Sequence, residues 1–212
     1  MRAPPALAAL TGRLMARYVR LVAATCRVDG SGVTQEPAVL AFWHEYNLVG
    51  AVAAHRMRRH QHHVSFSTRT FRGQVMNAML AALDAGSVPL PAEGERQEAA
   101  RLSREMARIG RAGSSLVVSP DGPLGPYRRA KPGALIVARE SGLPLQPWAV
   151  SSRPCIRLRG RWDRHLVPLP FAHLRVEEGE PIRVAPREPL RPLLERLQRA
   201  LDEVTARAER GG

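Results

Sequence analysis

The sequence predicts a single α/β domain whose largely parallel sheet is flanked by helices. Short β-prone apolar runs alternate with longer stretches of helical periodicity through most of the chain, a pattern typical of parallel sheets with crossover helices. Several of these runs stop abruptly in polar or Gly/Pro-rich turns, as buried strands do. At 212 residues, the chain is long enough to bury one hydrophobic core.

The first predicted element is an amphipathic helix over residues 5–27. Its apolar residues follow helical spacing, and four arginines fall largely outside that stripe: Arg13, Arg17, Arg20 and Arg27. A basic amphipathic helix can lie in a membrane interface and bind anionic headgroups. The same stripe would also serve an ordinary helix packed on its own domain. We therefore treat residues 1–28 as an N-terminal segment with a membrane interpretation and a packing interpretation.

The alternating strands and helices are predicted within a central domain, residues 29–188. The strands are expected at 38–43, 64–67, 87–91, 116–118, 145–151, 155–161, 173–176 and 182–184, with a stiff apolar segment at 167–171. The intervening helices are expected at 46–54, 76–83, 98–109 and 131–142. A charged helix over 190–208 lies in the C-terminal segment, residues 189–212.

A histidine lies where the first strand of the central domain meets a helix. Strand 38–43 runs directly into His44 and Glu45, so His44 is expected at the carboxyl end of a strand. A histidine there can act as a general base, because its ordinary pKa is close to neutrality. Taken alone, such a histidine is more often a structural or capping residue, so the catalytic interpretation depends on what lies beside it.

A second strand end carries one carboxylate in a stiff loop. The apolar run 116–118 stops in Ser-Pro-Asp-Gly-Pro-Leu-Gly-Pro, residues 119–126, with Asp121 at its mouth and Arg128 shortly after. The loop's prolines fix φ and its glycines permit unusual backbone shapes, and we expect four of its residues to shape a binding site: Pro120, Gly122, Pro123 and Gly125. Ligands of open α/β sheets bind past such strand ends. An ordinary Pro/Gly connection is the alternative interpretation.

Two further stretches are rich in cations. Arg69 and Arg72 lie in a predicted strand-to-helix turn, where arginine beside helix N-terminal amides suits a phosphate; a plain surface loop is the alternative. The run 55–63 holds four histidines and three arginines. It carries no cysteine or carboxylate, and the arginines would repel a cation, so we expect a solvated or headgroup-facing patch and no metal site.

Composition narrows the class of partner. The formal net charge is +13, from 32 basic and 19 acidic residues, which suits lipid headgroups, nucleic acid or a phosphorylated substrate. Aromatic residues make up only 5% of the chain and no nucleic-acid-binding motif is recognisable, so we expect no nucleic-acid partner. The chain has no Gly-x-Ser-x-Gly elbow of a serine hydrolase. Cys26 and Cys155 are far apart, which fits a reducing compartment.

Several motifs occur in an order that resembles a known family. They are Trp43-His44, residues 119–126, Lys131-Pro-Gly133, Ala138–Gly142 followed by Pro144, Trp162-Asp163 and Pro168–Phe171. This order is similar to a bacterial family of lysophospholipid-acyltransferase-like proteins, first described as a domain of unknown function and related to the glycerolipid and lipid A acyltransferases. The similarity extends from the N-terminal helix to Val184, and the combination of Trp-His with Asp-Gly-Pro-x-Gly-Pro is its specific part.

The resemblance implies a glycerolipid-acyltransferase-like fold and an acyl transfer. His44 matches the histidine that supplies the base, and Pro120-Asp121-Gly122 resembles the motif that helps to hold the acceptor's phosphate. The implied reaction moves a fatty acyl group from acyl-CoA or an acyl carrier protein thioester to a hydroxyl of a lysophospholipid or glycolipid. No bound cofactor is implied, and the implied location is peripheral, on the cytoplasmic face of the inner membrane, in contact with anionic lipid.

One departure from the family pattern concerns the partner of the histidine. The wider superfamily keeps an aspartate five positions after the histidine, and this chain has Val49 there. Asp121 is then the best candidate partner for His44, and Glu45 is a second candidate. A non-catalytic protein that keeps the fold and binds anionic lipid is the alternative function.

Overall fold

A computed structural model of the chain describes residues 5–30, 33–57, 60–90, 96–122 and 124–210, with the backbone alone for residues 96–100. Within these ranges, seven strands form one mostly parallel sheet that is flanked by helices, and a helix precedes the sheet. The predicted single α/β domain is therefore confirmed. The division at residues 28 and 188 stays a prediction.

The elements are named in chain order. The helices are α1 (Pro5–Thr25), α2 (Asn47–Met57), α3 (Phe71–Ala82), α4 (Arg96–Arg111), α5 (Gly133–Ser141) and α6 (Leu190–Arg210). The strands are β1 (Arg27–Asp29), β2 (Val39–Ala41), β3 (His63–Ser67), β4 (Gly86–Pro89), β5 (Ser115–Val118), β6 (Leu145–Arg157) and β7 (Leu166–Glu178). A single 3₁₀ turn, His44–Tyr46, precedes α2.

The sheet order is β1-β7-β6-β2-β5-β3-β4. The five strands from β6 to β4 run parallel, β7 pairs antiparallel with β6, and β1 pairs parallel with β7. Strand β2 lies between β5 and β6, with Val39 opposite both Leu116 and Leu145, and all three of its residues are buried. The carboxyl ends of β2, β5 and β3 consequently meet at one edge of the sheet.

Strands β6 and β7 form a long antiparallel ribbon that continues past this edge. Strand β2 ends at Ala41, opposite Pro147, whereas β6 continues to Arg157 beside β7. The expectation of two separate strands at 145–151 and 155–161 is wrong. Pro154 lies at a register shift between Arg153 and Cys155, and such an irregularity lets a proline lie within a strand.

Helix α1 packs through its smallest residues. The buried face consists of Ala8, Gly12, Ala16, Val19, Val22 and Ala23. A side chain at Gly12 would come within 2.5 Å of Ala78 Cβ and of the Val75 carbonyl oxygen, so α1 and α3 are in close backbone contact. The leucines of the predicted apolar stripe face outward instead: Leu7, Leu10, Leu14 and Leu21 are about half exposed, at 48–57%.

The main core lies between the sheet and the helices on either side of it. Its largest fully buried side chains include Trp43, Trp148 and Tyr46. Val49 on α2 is also fully buried, because it faces this core and not the edge that holds His44. None of the described helices is both long enough and apolar enough to span a membrane.

Candidate active site

The ends of two neighbouring strands are tied together by the Asp121 carboxylate. Asp121 Oδ1 accepts a hydrogen bond from the backbone N–H of His44 at 2.9 Å, and Oδ2 accepts one from the backbone N–H of Arg128 at 3.3 Å. Burial raises the pKa of Asp121 to about 6, against the opposing effect of these hydrogen bonds. The structure brings Asp121 and His44 together as expected, but the carboxylate holds the histidine backbone and not its ring.

The His44 imidazole lies between the Asp-Gly-Pro loop and the ribbon. Its ring centroid is 5.2 Å from that of Trp162, and its Nδ1 is buried without a hydrogen-bond partner. Burial lowers the pKa of His44 to about 4; Asp163 opposes this shift, while His165 and Arg161 add to it. The imidazole is therefore neutral at pH 7.

Glu45 lies at the centre of a buried ion-pair cluster. Its side chain is fully buried, with Oε1 2.5 Å from Arg128 Nε and Oε2 2.6 Å from Arg157 Nη1. The Tyr127 hydroxyl donates to both carboxylate oxygens, at 3.2 and 3.1 Å. The expectation that Glu45 pairs with the His44 ring finds no support in these contacts, because both oxygens are taken up by other donors.

Arg128 links this cluster to the C-terminal helix. Its Nη2 lies 2.6 Å from Glu209 Oε1 on α6 and 3.2 Å from the Tyr46 hydroxyl. Arg128 also has φ +52°, a left-handed conformation that its backbone bond to Asp121 helps to hold. The guanidinium of Arg128 is occupied by two carboxylates and a hydroxyl. These contacts give no support to the expected contact of Arg128 with an acceptor phosphate.

The remaining residues of the loop make a closed turn. The N–H groups of Gly122 and Gly125 donate to the carbonyls of Ser119 (3.0 Å) and Asp121 (3.1 Å), and the buried Pro120 accepts from the N–H of Lys131 at 2.9 Å. Pro123 lies outside the described residues. The two glycine amides are therefore already used inside the turn.

Arg69 and Arg72 lie elsewhere on the same edge of the sheet. Both are exposed in the turn between β3 and the first residues of α3, where the Thr70 side chain caps the helix by accepting from the N–H of Gly73. Strand β5 separates this turn from His44. The predicted position beside a helix N-terminus is confirmed, and the predicted contact with a phosphate stays a prediction.

Sequence reasoning gave no role to the end of the ribbon, which covers His44. Asp163 is fully buried and accepts two hydrogen bonds from Arg161, at 2.8 and 2.7 Å. His165 Nδ1 lies 3.7 Å from Asp163 Oδ2. Trp162 and Asp163 belong to the motifs that carry the family resemblance, and this was the signal in the sequence that could have pointed to them.

In the described part of the chain, no group of three or more His, Cys, Asp or Glu residues could hold a metal ion.

The chain resembles an uncharacterized bacterial protein. The chain is 23% identical over 150 residues to an uncharacterized protein of Rickettsia prowazekii (strain Madrid E). The aligned residues are 71% of this chain and 66% of the relative, so the chain spans slightly less than two thirds of that protein's length. No protein-family model matches the chain. No solved structure matches it significantly.

Proposed function

We propose that this protein is an acyltransferase of the glycerolipid type. It moves a fatty acyl group from acyl-CoA or an acyl carrier protein thioester to a hydroxyl of a lysophospholipid or glycolipid at a membrane surface. One observation carries the proposal: the backbone of His44 is hydrogen-bonded to Asp121, 77 residues away. The two motifs on which the family resemblance depends thus form a single site around a neutral imidazole.

In the proposed reaction, His44 is the general base. The neutral imidazole takes the proton of the acceptor hydroxyl while the hydroxyl oxygen attacks the thioester carbonyl carbon. The tetrahedral intermediate then collapses, the C–S bond breaks, and the leaving thiolate takes the proton back from the imidazolium. General-base assistance of this kind contributes roughly 10²–10⁴-fold in rate. Asp121 acts on the backbone by holding the histidine turn against the loop.

Arg69 and Arg72 are the proposed contacts for an acceptor phosphate. Both are exposed beside the N-terminus of α3, on the sheet edge where β2 and β5 also end. Helix N-terminal amides and arginine together attract a phosphate. A phosphate bound there would place the acceptor along the carboxyl edge of the sheet, toward His44.

Helix α1 is the proposed membrane-binding element. At the α-helical rotation per residue, Leu7, Leu10, Leu14 and Leu21 fall within roughly 60° of arc, opposite the small residues that pack on the domain. Arg13, Arg17 and Arg20 are exposed in the neighbouring arc. An outward leucine stripe flanked by arginines is the arrangement of a helix that lies in the interface of an anionic bilayer.

Changing two of these leucines tests the membrane proposal. The double substitution Leu10→Gln and Leu14→Gln should weaken binding to vesicles of phosphatidylglycerol and phosphatidylcholine by roughly tenfold or more, because two half-exposed leucines lose their burial in lipid. Sedimentation with vesicles measures the change. Ala24→Gln, an exposed position on the same helix outside the leucine stripe, is the matched control. Equal binding by the double variant and the control would contradict the proposal.

The assay for the function measures thiol release. The purified chain is mixed with a long-chain acyl-CoA, or with an acyl carrier protein thioester, and with lyso-lipids presented in anionic vesicles. We expect release that depends on the presence of an acceptor. Vesicle binding without release from either donor would favour the second candidate function, a non-catalytic anionic-lipid-binding protein. The observation that favours this candidate is the buried valine at position 49, where the wider superfamily has an aspartate.

Gly122 tests the placement of the histidine ring. A Cβ at this position would lie 2.8 Å from His44 Nδ1 and 2.9 Å from Cε1, so Gly122→Ala must displace a ring that Trp162 confines on another side. We expect turnover to fall by on the order of 10–100-fold, since small misplacements of a reacting group have effects of this size.

Gly133→Ala is the matched control for this substitution. Gly133 begins α5, and a Cβ there would meet nothing within 4 Å. The control should keep full turnover, and both variants should keep their cooperative thermal unfolding. If Gly122→Ala is as active as Gly133→Ala, the ring of His44 is not confined as we describe.

A further inference from the structure

One segment of β7 departs from the regular pairing of the ribbon. In β6, the two neighbours of Pro154 pair with His173 and Pro168 of β7, so residues 169–172 occupy the length that Pro154 alone spans. Such an excess of residues forms a bulge, which bends the strand and redirects its side chains. The bulge includes Phe171, which ends the predicted stiff apolar segment.

The setting of Phe171 is not explained by the core or by backbone preference. Its side chain is 79% exposed. Its backbone has φ +65°, a left-handed conformation that bulky residues rarely adopt. The N–H of Phe171 donates to Thr25 Oγ1 at 3.1 Å, and this hydrogen bond helps to hold the conformation. A strained backbone that keeps a large apolar ring in water is a reason to look for a function.

Phe171 adjoins the end of the leucine stripe on α1. The Thr25 hydroxyl, which accepts from Phe171, donates to the Leu21 carbonyl at 2.9 Å. At the α-helical rotation per residue, Thr25 falls roughly 40° from Leu21 around the helix axis, so it continues the stripe. Two turns earlier, the Tyr18 hydroxyl donates to the Pro168 carbonyl. The bulge of β7 therefore lies against the stripe side of α1, and Phe171 extends its apolar surface.

Cations border this extension. Arg27 in β1 and Arg153 in β6 both lie opposite His173, two residues after Phe171, and both arginines are exposed. The carboxylate in the same place, Asp29, is held by His173 at 2.6 Å. An apolar ring between exposed arginines is complementary to a layer with an apolar interior and an anionic surface. An anionic bilayer has this structure.

We propose that Phe171 is a second membrane anchor, which inserts into an anionic bilayer beside the leucine stripe of α1. This inference rests on the proposed function, in which the chain works at a membrane surface. Arg27 and Arg153 bind the phosphates of lipid headgroups while the ring enters the acyl region. The end of the same ribbon packs on His44 through Trp162, so the anchor holds the candidate active site at the bilayer.

Phe171→Gly separates an anchor from a structural residue. Glycine adopts a positive φ without strain, so the variant should keep the thermal stability of the unaltered chain. Its binding to vesicles of phosphatidylglycerol and phosphatidylcholine should nevertheless weaken by roughly tenfold, because the aromatic ring is no longer transferred from water to lipid. A phenylalanine that served only the fold would give lower stability and unchanged vesicle binding, which would overturn the proposal.

Asp84→Gly is the matched control. Asp84 is exposed in the turn after α3 and has φ +58°, so this substitution gives the same backbone relief without removing an apolar side chain. The control should keep its thermal stability and should bind vesicles at least as tightly as the unaltered chain. If Phe171→Gly binds vesicles as tightly as Asp84→Gly, Phe171 is not an anchor.

Phe171→Trp tests insertion directly. Trp43 and Trp148 are fully buried, so the tryptophan fluorescence added at position 171, relative to the unaltered chain, reports on lipid contact. Vesicles of phosphatidylglycerol and brominated phosphatidylcholine should quench this added fluorescence. Arg199→Trp, at an exposed position on α6, is the control and should escape quenching. If Phe171→Gly does not fold, this measurement decides alone, and equal quenching at the two positions overturns the proposal.

Other roles of this surface would give different results. If Phe171 mediates contact between two copies of the chain, Phe171→Gly would change sedimentation without lipid and leave vesicle binding intact, which overturns the proposal. Weakened vesicle binding in Phe171→Gly, together with quenching at position 171, would sustain the anchor even in a chain that releases no thiol, and would leave the proposed function refuted. Thiol release by a chain that is not quenched at position 171 would do the reverse.

Discussion

Replacing His44 by alanine should lower acyl transfer by on the order of 10³-fold, the middle of the range for general-base catalysis. The His44 imidazole is neutral at pH 7, because burial lowers its pKa to about 4. Without it, the acceptor hydroxyl would have to lose its proton to water. Thiol release at saturating donor and acceptor measures the effect, which should appear in kcat more than in KM.

The control for this variant is a second histidine of the same chain. His60→Ala removes an exposed imidazole from the turn before β3 and should leave thiol release unchanged. Thermal unfolding of both variants establishes that they are folded. If His44→Ala releases thiol at the same rate as His60→Ala, His44 is not the general base, and the proposed mechanism is wrong.

The largest effect on stability is expected at Glu45. Glu45→Gln removes the charge that separates two arginines and leaves Arg128 and Arg157 facing a neutral amide in a buried cluster. Breaking a buried ion pair by removing one partner typically lowers the free energy of unfolding by about 3–5 kcal/mol. Denaturation by urea measures this loss, and the sensitivity to denaturant, m, should stay near that of the unaltered chain.

A surface ion pair gives the comparison. Glu105 on α4 lies 2.6 Å from Arg108, three residues away, and the side chains of Glu105 and Arg108 are 36% and 65% exposed. Glu105→Gln should lower the free energy of unfolding far less than Glu45→Gln does, since exposed pairs contribute little. Equal losses in the free energy of unfolding of the two variants would mean that the Glu45 cluster stabilises the fold no more than an exposed ion pair does.

The sequence was sufficient to predict the alternation of strands and helices and the proximity of His44 to Asp121. Both residues directly follow short strands of a parallel sheet, and such strands end at a common edge. The sequence could not show which atoms of the two residues meet, because the geometry of the turn decides whether a carboxylate contacts a ring or a backbone amide. Periodicity also gave no sign of the three-residue strand β1.

Two other features of the fold could not be predicted from the sequence, each for a physical reason. The ribbon that brings Trp162 to the His44 ring contains prolines, and a proline in the sequence suggests a strand break until the pairing of β6 with β7 is known. The orientation of α1 was ambiguous, because its leucines and its small residues both follow helical spacing. Close backbone packing against α3 selects the small residues for burial, and Gly12 permits that approach.

The position of β2 in the sheet also bears on how the protein is made. During synthesis from the N-terminus, β2 emerges before the neighbours that cover its two edges, β5 and β6, which follow only at residues 115–118 and 145–157. Long-range pairing of this kind slows folding. The strand that leads to His44 therefore leaves the ribosome as an unpaired apolar segment, and this interval is when the nascent chain would most depend on a chaperone.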